Sequence, residues 1–173
     1  MPEEFFFNET SDPAKLNNRQ RGQLAELGFM RKAASLGLSI AKPWNEGERY
    51  DFIARVEKVC WRIQVKSVWA KQPQRNYYRF TTSSRRGLTY SADEIDFVVA
   101  YIFREDTWYV LPVREVENRK SMCVMPGSKR SRYEQYREAW KLMKPACVQP
   151  AAVADVPPDA GASAPAKGTD APT

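Results

Sequence analysis

Two neighbouring stretches, YDFIARV (50–56) and VCWRIQVKSV (59–68), each alternate apolar and polar side chains, and only Glu57 and Lys58 separate them. That period belongs to extended strands. Joined by two residues, they form an antiparallel hairpin in which Val56 faces Val59 and opposed residue numbers sum to 115. Asp51 then faces Gln64, and opposed residues share one face of a sheet. Lys66, two positions beyond Gln64, points the same way. A carboxylate, an amide and an ammonium therefore meet on one patch. The register needs an even-length connection, and Glu-Lys lacks the Gly or Asn that tight primed turns favour.

The hairpin sits among elements of both kinds. A helix is expected to start at Asp12-Pro13, with Pro at its first position, and to be irregular through the polar NNRQRG stretch. From Gln23 it firms up, with Leu24, Leu27, Met30 and Ala34 as its apolar stripe and Gly37 as its stop. A short strand over 38–42 ends at Pro43. Further strands are expected over 77–82, 95–103 and 108–113, the second apolar enough to be buried on both faces. A last helix is expected over 131–144, carrying Tyr133, Tyr136, Trp140 and Met143 on one stripe. From Gln149 the chain turns to Ala and Pro, with no aromatic, Leu or Ile. Such a segment buries too little apolar area to offset chain entropy. The expected organisation is an N-terminal extension (1–20), one folded domain (21–148) and a disordered tail (149–173).

Composition narrows the chemistry. Of 173 residues none is histidine, which excludes Ser-His-Asp triads, Cys-His dyads and His-ligated zinc. Cys60, Cys123 and Cys147 form no CxxC pair and are odd in number. A reducing cytoplasm is the simpler expectation. No run of 18 apolar residues predicts a membrane span, and the acidic N-terminus lacks the basic start of a signal peptide. The net charge is +6. The tail has three aspartates against one lysine, so the basic character lies in the body, and a polyanion is the expected partner.

Hydrolysing a phosphodiester needs a Lewis acid, an activated water and charge stabilisation at the phosphoryl oxygens. Mg²⁺ takes hard oxygen ligands and keeps several waters, so one or two carboxylates suffice. Asp51 would be the main ligand, with the Gln64 side-chain carbonyl and the Val65 backbone carbonyl completing the protein share. Lys66 would orient or deprotonate the attacking water, or neutralise developing charge. Mn²⁺ is the alternative ion.

These residues resemble the PD-(D/E)xK nucleases. RGQLAELGFMRKAASLG, AKPWNEGERYDFIA, WRIQVKS and DFVVAYIFREDTWYVLPV are most similar to the group I intron-associated branch, which includes homing endonucleases. The resemblance spans roughly residues 20–115. It implies an α/β, restriction-endonuclease-like αβββαβ core with a mixed central sheet flanked by helices, and metal-dependent cleavage of double-stranded DNA by a homo-oligomer. Position by position it places Glu26 as the helix carboxylate and a metal ligand, Asp51 as the metal aspartate, Gln64 at the D/E position and Lys66 as the lysine. Tyr50 stands where many members have Pro. Gln64 stands where most have an acid, which removes a negative charge from the metal site, although the intron-associated branch also uses Gln there.

NYYRFTTSSRRGLTY (76–90) interleaves aromatics with Arg79, Arg85 and Arg86. Arginines and hydroxyls hold phosphates, so these three are the candidate DNA contacts; the plainer reading is an amphipathic strand followed by a basic loop. Lys129, Arg130 and Arg132 form a second basic cluster. Two rivals share the fold: a structure-specific junction or repair nuclease, and a catalytically inactive DNA-binding relative.

Overall fold

The polar stretch around residue 17 begins the first helix and does not break it. In the computed structural model, which describes residues 15–45, 47–84 and 87–144, α1 runs Asn18–Ser35 with Asn17 as its cap. The Asn17 side chain accepts from the Gln20 N–H at 2.9 Å, and the Gln20 side chain accepts from the Asn17 N–H at 3.0 Å. This capping box satisfies two of the free donors of the first turn. The start expected at Asp12-Pro13 lies outside the described residues. Gly37, at φ +80°, ends the helix as expected. The N–H groups of Gly37 and Leu38 donate back to the carbonyls of Ala34 and Ala33, a Schellman termination.

The buried stripe of α1 differs from the expected one. It is Ala25, Phe29 and Ala33, while Leu24 and Leu27 are 39% and 56% exposed and Ala34 is exposed too. Alanines on either side of Phe29 bring the helix close to the sheet. The Phe29 ring then packs 5.2 Å from Phe52, 6.4 Å from Trp108 and 6.3 Å from Trp140, centroid to centroid. Met30, also on the expected stripe, packs only at the edge of this cluster.

Strands follow in the order β1 (Ser39–Ala41), β2 (Phe52–Val56), β3 (Val59–Val68), β4 (Tyr78–Thr81), β5 (Phe97–Ile102), β6 (Thr107–Pro112) and β7 (Ser121–Val124). Five make a mixed sheet ordered β1-β2-β3-β5-β6. β5 runs parallel to β3, and the other neighbours are antiparallel. The hairpin has the expected register, Val56↔Val59 through Phe52↔Ile63, and its turn is closed by Glu57 at φ +54°. β4 pairs with β7, a strand the sequence pattern did not reveal, as a separate two-stranded sheet.

Each face of the large sheet carries a core. Phe97 and Val99 of β5 face the α1 side with Phe52, Ile63, Trp108 and Trp140. Val98, Ala100 and Ile102 face Tyr78, Phe80, Met122 and Val124 of the small sheet. β5 is thus buried on both sides, as its apolar run predicts. The fold is the mixed α/β sheet expected. Its crossover from β3 to β5 passes through β4 and turns, with no α-helix among the described residues.

The helix expected over 131–144 does not form. Two short 3₁₀ helices, Glu134–Tyr136 and Trp140–Met143, stand there instead. Between them Arg137 bridges to Tyr109 and Glu138 adopts φ +48°. The Glu138 N–H donates to the Trp108 carbonyl at 2.8 Å. Its carboxylate accepts from the Trp108 N–H and the Trp140 indole N–H, each at 2.8 Å. A continuous helix would forfeit these bonds along β6. Tyr133, Trp140 and Met143 are buried all the same. No helix among the described residues is long and apolar enough to cross a membrane.

Candidate active site

Asp51 lies just before β2, and its N–H donates to the Ile63 carbonyl at 2.8 Å, extending the hairpin by one step. Its carboxylate is thereby carried across to β3, where Oδ2 accepts the Val65 N–H at 2.7 Å. The Gln64 amide nitrogen donates to the same Oδ2 and, at 3.2 Å, to the Val65 carbonyl. Lys66 follows on β3, its ammonium 5.2 Å from the Tyr90 ring centroid; the Arg49 guanidinium lies 4.8 Å from that ring. β3 is held at these positions by parallel pairing, Gln64↔Val98 and Lys66↔Ala100, so the group rests on the rigid middle of the sheet.

Glu26 arrives from α1 and Lys42 from the residue after β1. Lys42 Nζ and Glu26 Oε2 are 2.8 Å apart. A cleft of about 430 Å³ is lined by Glu26, Lys42, Asp51, Gln64, Val65 and Lys66, and by Asn18 and Arg19 of α1. The expected site residues Glu26, Asp51, Gln64, Val65 and Lys66 are therefore brought together. Arg79 is not with them: it is exposed on β4, bonded to the Ser121 hydroxyl at 3.0 Å and 3.2 Å. Arg85 and Arg86 lie outside the described residues. Lys42 and Tyr90 were not anticipated. Lys42 was hidden because the β1–β2 register is set across a long loop, and Tyr90 because its segment has no periodic pattern.

Burial pushes the Asp51 carboxyl up to about 6, and the Glu26 charge adds to this. The Val65 N–H, Lys66 and Lys42 oppose the rise. The hydrogen bond and charge of Glu26 raise the Lys42 ammonium above its ordinary value. Asp51 Oδ2 and the Val65 carbonyl are two oxygens aimed at one point, and the positive edge of the Gln64 amide fills it. That arrangement suits a cation, because turning the amide over presents its oxygen alongside the other two. Among the described residues no three Asp, Glu, Cys or His side chains cluster as a metal cage. A divalent ion would therefore rest on few carboxylates plus neutral oxygens, which matches Mg²⁺ with its retained waters.

A family model described as PD-(D/E)XK endonuclease matches residues 16–143. Among solved structures, that of the bacterial homing endonuclease I-Ssp6803I is similar, with a TM-score of 0.63 and 27% identity over 73% of this chain and 90% of that one. A search of curated proteins gave no match.

Proposed function

The chain belongs to the PD-(D/E)XK endonuclease family, and we propose that within it this protein is a divalent-metal-dependent, homing-type endonuclease acting on double-stranded DNA. The observation that carries the reading is the convergence of Asp51 Oδ2 and the Val65 carbonyl on one point, with Lys66 two residues along the same strand. Similarity to I-Ssp6803I supports the homing type. Asp51, the Val65 carbonyl and the Gln64 side-chain oxygen would hold Mg²⁺ or Mn²⁺, with Glu26 facing them from α1. When bound, the ion supplies Lewis-acid charge and a more acidic water. Lys66 orients the attacking water or neutralises charge on the phosphoryl oxygens. Cutting both strands calls for two such sites, so a homo-oligomer is part of the reading.

Plasmid nicking and linearisation with Mg²⁺, Mn²⁺ or EDTA tests it. Cutting is expected with either metal and not in EDTA. Asp51→Asn and Lys66→Ala should each lower the rate by roughly 10²-fold or more while DNA binding survives. Cutting in EDTA, or wild-type rates in both variants, would sink the proposal; a wild-type protein that binds but never cuts would identify an inactive relative.

A further inference from the structure

We propose that Lys42 is a further functional residue of this cleft: its ammonium is the fixed positive charge beside Glu26 that a second metal ion supplies in two-metal phosphodiester sites, so each chain takes one divalent ion. The inference rests on the nuclease reading above. In two-metal sites a pair of ions stands roughly 3.5–4 Å apart and shares the charge of the attacking and leaving oxygens. Here the second place is already taken.

Placement comes first. The β1–β2 register ends at Ala41↔Ile53, so the next pair along sets Lys42 against Phe52, the neighbour of Asp51. Lys42 Nζ lies 5.6 Å from the Phe52 ring centroid and 2.8 Å from Glu26 Oε2. It acts electrostatically on Asp51 as well. The ammonium is therefore bonded to one of the two carboxylates that line the cleft and lies beside the chain neighbour of the other.

Ligand supply comes second. Gln64 is neutral, and Glu26 is engaged with Lys42, so Asp51 is the one anionic donor left for metal among the described cleft residues. Two divalent ions need more anionic oxygen than that. The cleft also has three cations, Arg19, Lys42 and Lys66, against two carboxylates, so a second metal would enter a positive field. Third, the Lys42 side chain is 62% exposed while tethered by Glu26. It is open to a DNA phosphate at the cleft, where it would contact a non-bridging oxygen. A merely structural surface ion pair would contribute little to stability and nothing to metal count.

The test is a count of Mn²⁺ ions bound per chain, read by the loss of the free-ion EPR signal with the full-length protein and no DNA. Wild type should bind one ion. Lys42→Gln should free Glu26 and bind two, Lys42→Gln with Glu26→Gln should return to one, and Lys42→Arg should stay at one. Two ions on wild type, or one on Lys42→Gln, overturns the proposal. With Mg²⁺ and plasmid, the Lys42→Gln protein that also carries Glu26→Gln has neither the ammonium nor a second ion and should cut roughly tenfold slower or worse, while Lys42→Arg should keep most of the rate; wild-type cutting by the double variant also overturns it. Should the wild-type protein cut no DNA, the nuclease reading falls, while the ion count still decides the place of Lys42.

Discussion

An amide at position 64 does something a carboxylate cannot. The buried Gln64 side chain donates to both Asp51 Oδ2 and the Val65 carbonyl, satisfying two acceptors at the wall of the cleft. A glutamate there would set a second anion against Asp51 and leave the Val65 carbonyl without its donor. Without metal, Gln64→Glu is therefore expected to lower stability at neutral pH by about 1–3 kcal/mol. Mg²⁺ should raise its melting temperature more than that of wild type, because the ion gains an anionic ligand. Melting curves with and without Mg²⁺ check this; equal melting temperatures in EDTA would show that the amide bonds do not matter. At this scale the sequence was most legible where geometry needed only parity. Asp51, Gln64 and Lys66 follow from one short hairpin whose connection has two residues. Lys42 reaches the same cleft, and the Tyr90 ring reaches the Lys66 ammonium, through tertiary placement, which no local period encodes.

Elements were legible when their pattern came from backbone period and were misread when tertiary distance decided. The α1 stripe is the instructive case. Helical spacing of large residues picked Leu24, Leu27, Met30 and Ala34, yet the sheet takes the face with Ala25 and Ala33 because small residues permit close approach around Phe29. The segment 131–144 had helical spacing too, but Glu138 spends its backbone and carboxylate on Trp108 of β6. The β2–β3 turn also carries a local cost. Only Glu57 of its two central residues has positive φ, at +54°, where an L side chain is disfavoured by about 1–2 kcal/mol. Glycine removes that cost but adds freedom to the unfolded chain. Glu57→Gly should thus stabilise the protein by about 0.5–1 kcal/mol and leave cleavage unchanged, as urea unfolding beside a plasmid assay would show. A clear loss of stability would mean that the Glu57 side chain contributes more than its backbone costs.

Across the whole molecule, the sheet with a core on each face holds Asp51 where its charge is costly. The folded carboxyl titrates near 6, raised from an ordinary 3.8 chiefly by burial. Folding therefore favours the protonated acid. Its stabilising contribution is complete below the unfolded pKa and is lost as pH rises through about 6. The displacement corresponds to about 3 kcal/mol at most. A site that binds a cation has reason to bear this cost, because an ion bound by Asp51 offsets the buried charge and restores stability by mass action. In EDTA, wild type should lose melting temperature relative to Asp51→Asn between pH 4 and pH 7, since the asparagine has no charge to bury. At low pH, with Asp51 protonated, the gap should close. Adding Mg²⁺ at pH 7 should raise wild type and leave Asp51→Asn nearly unmoved. Differential scanning calorimetry of both proteins across this range, with and without Mg²⁺, makes the comparison. Parallel curves from pH 4 to pH 7 would show that Asp51 is not held at a cost in the fold. An equal Mg²⁺ response in both proteins would show that the ion binds elsewhere, and the cleft would lose its claim to be the metal centre.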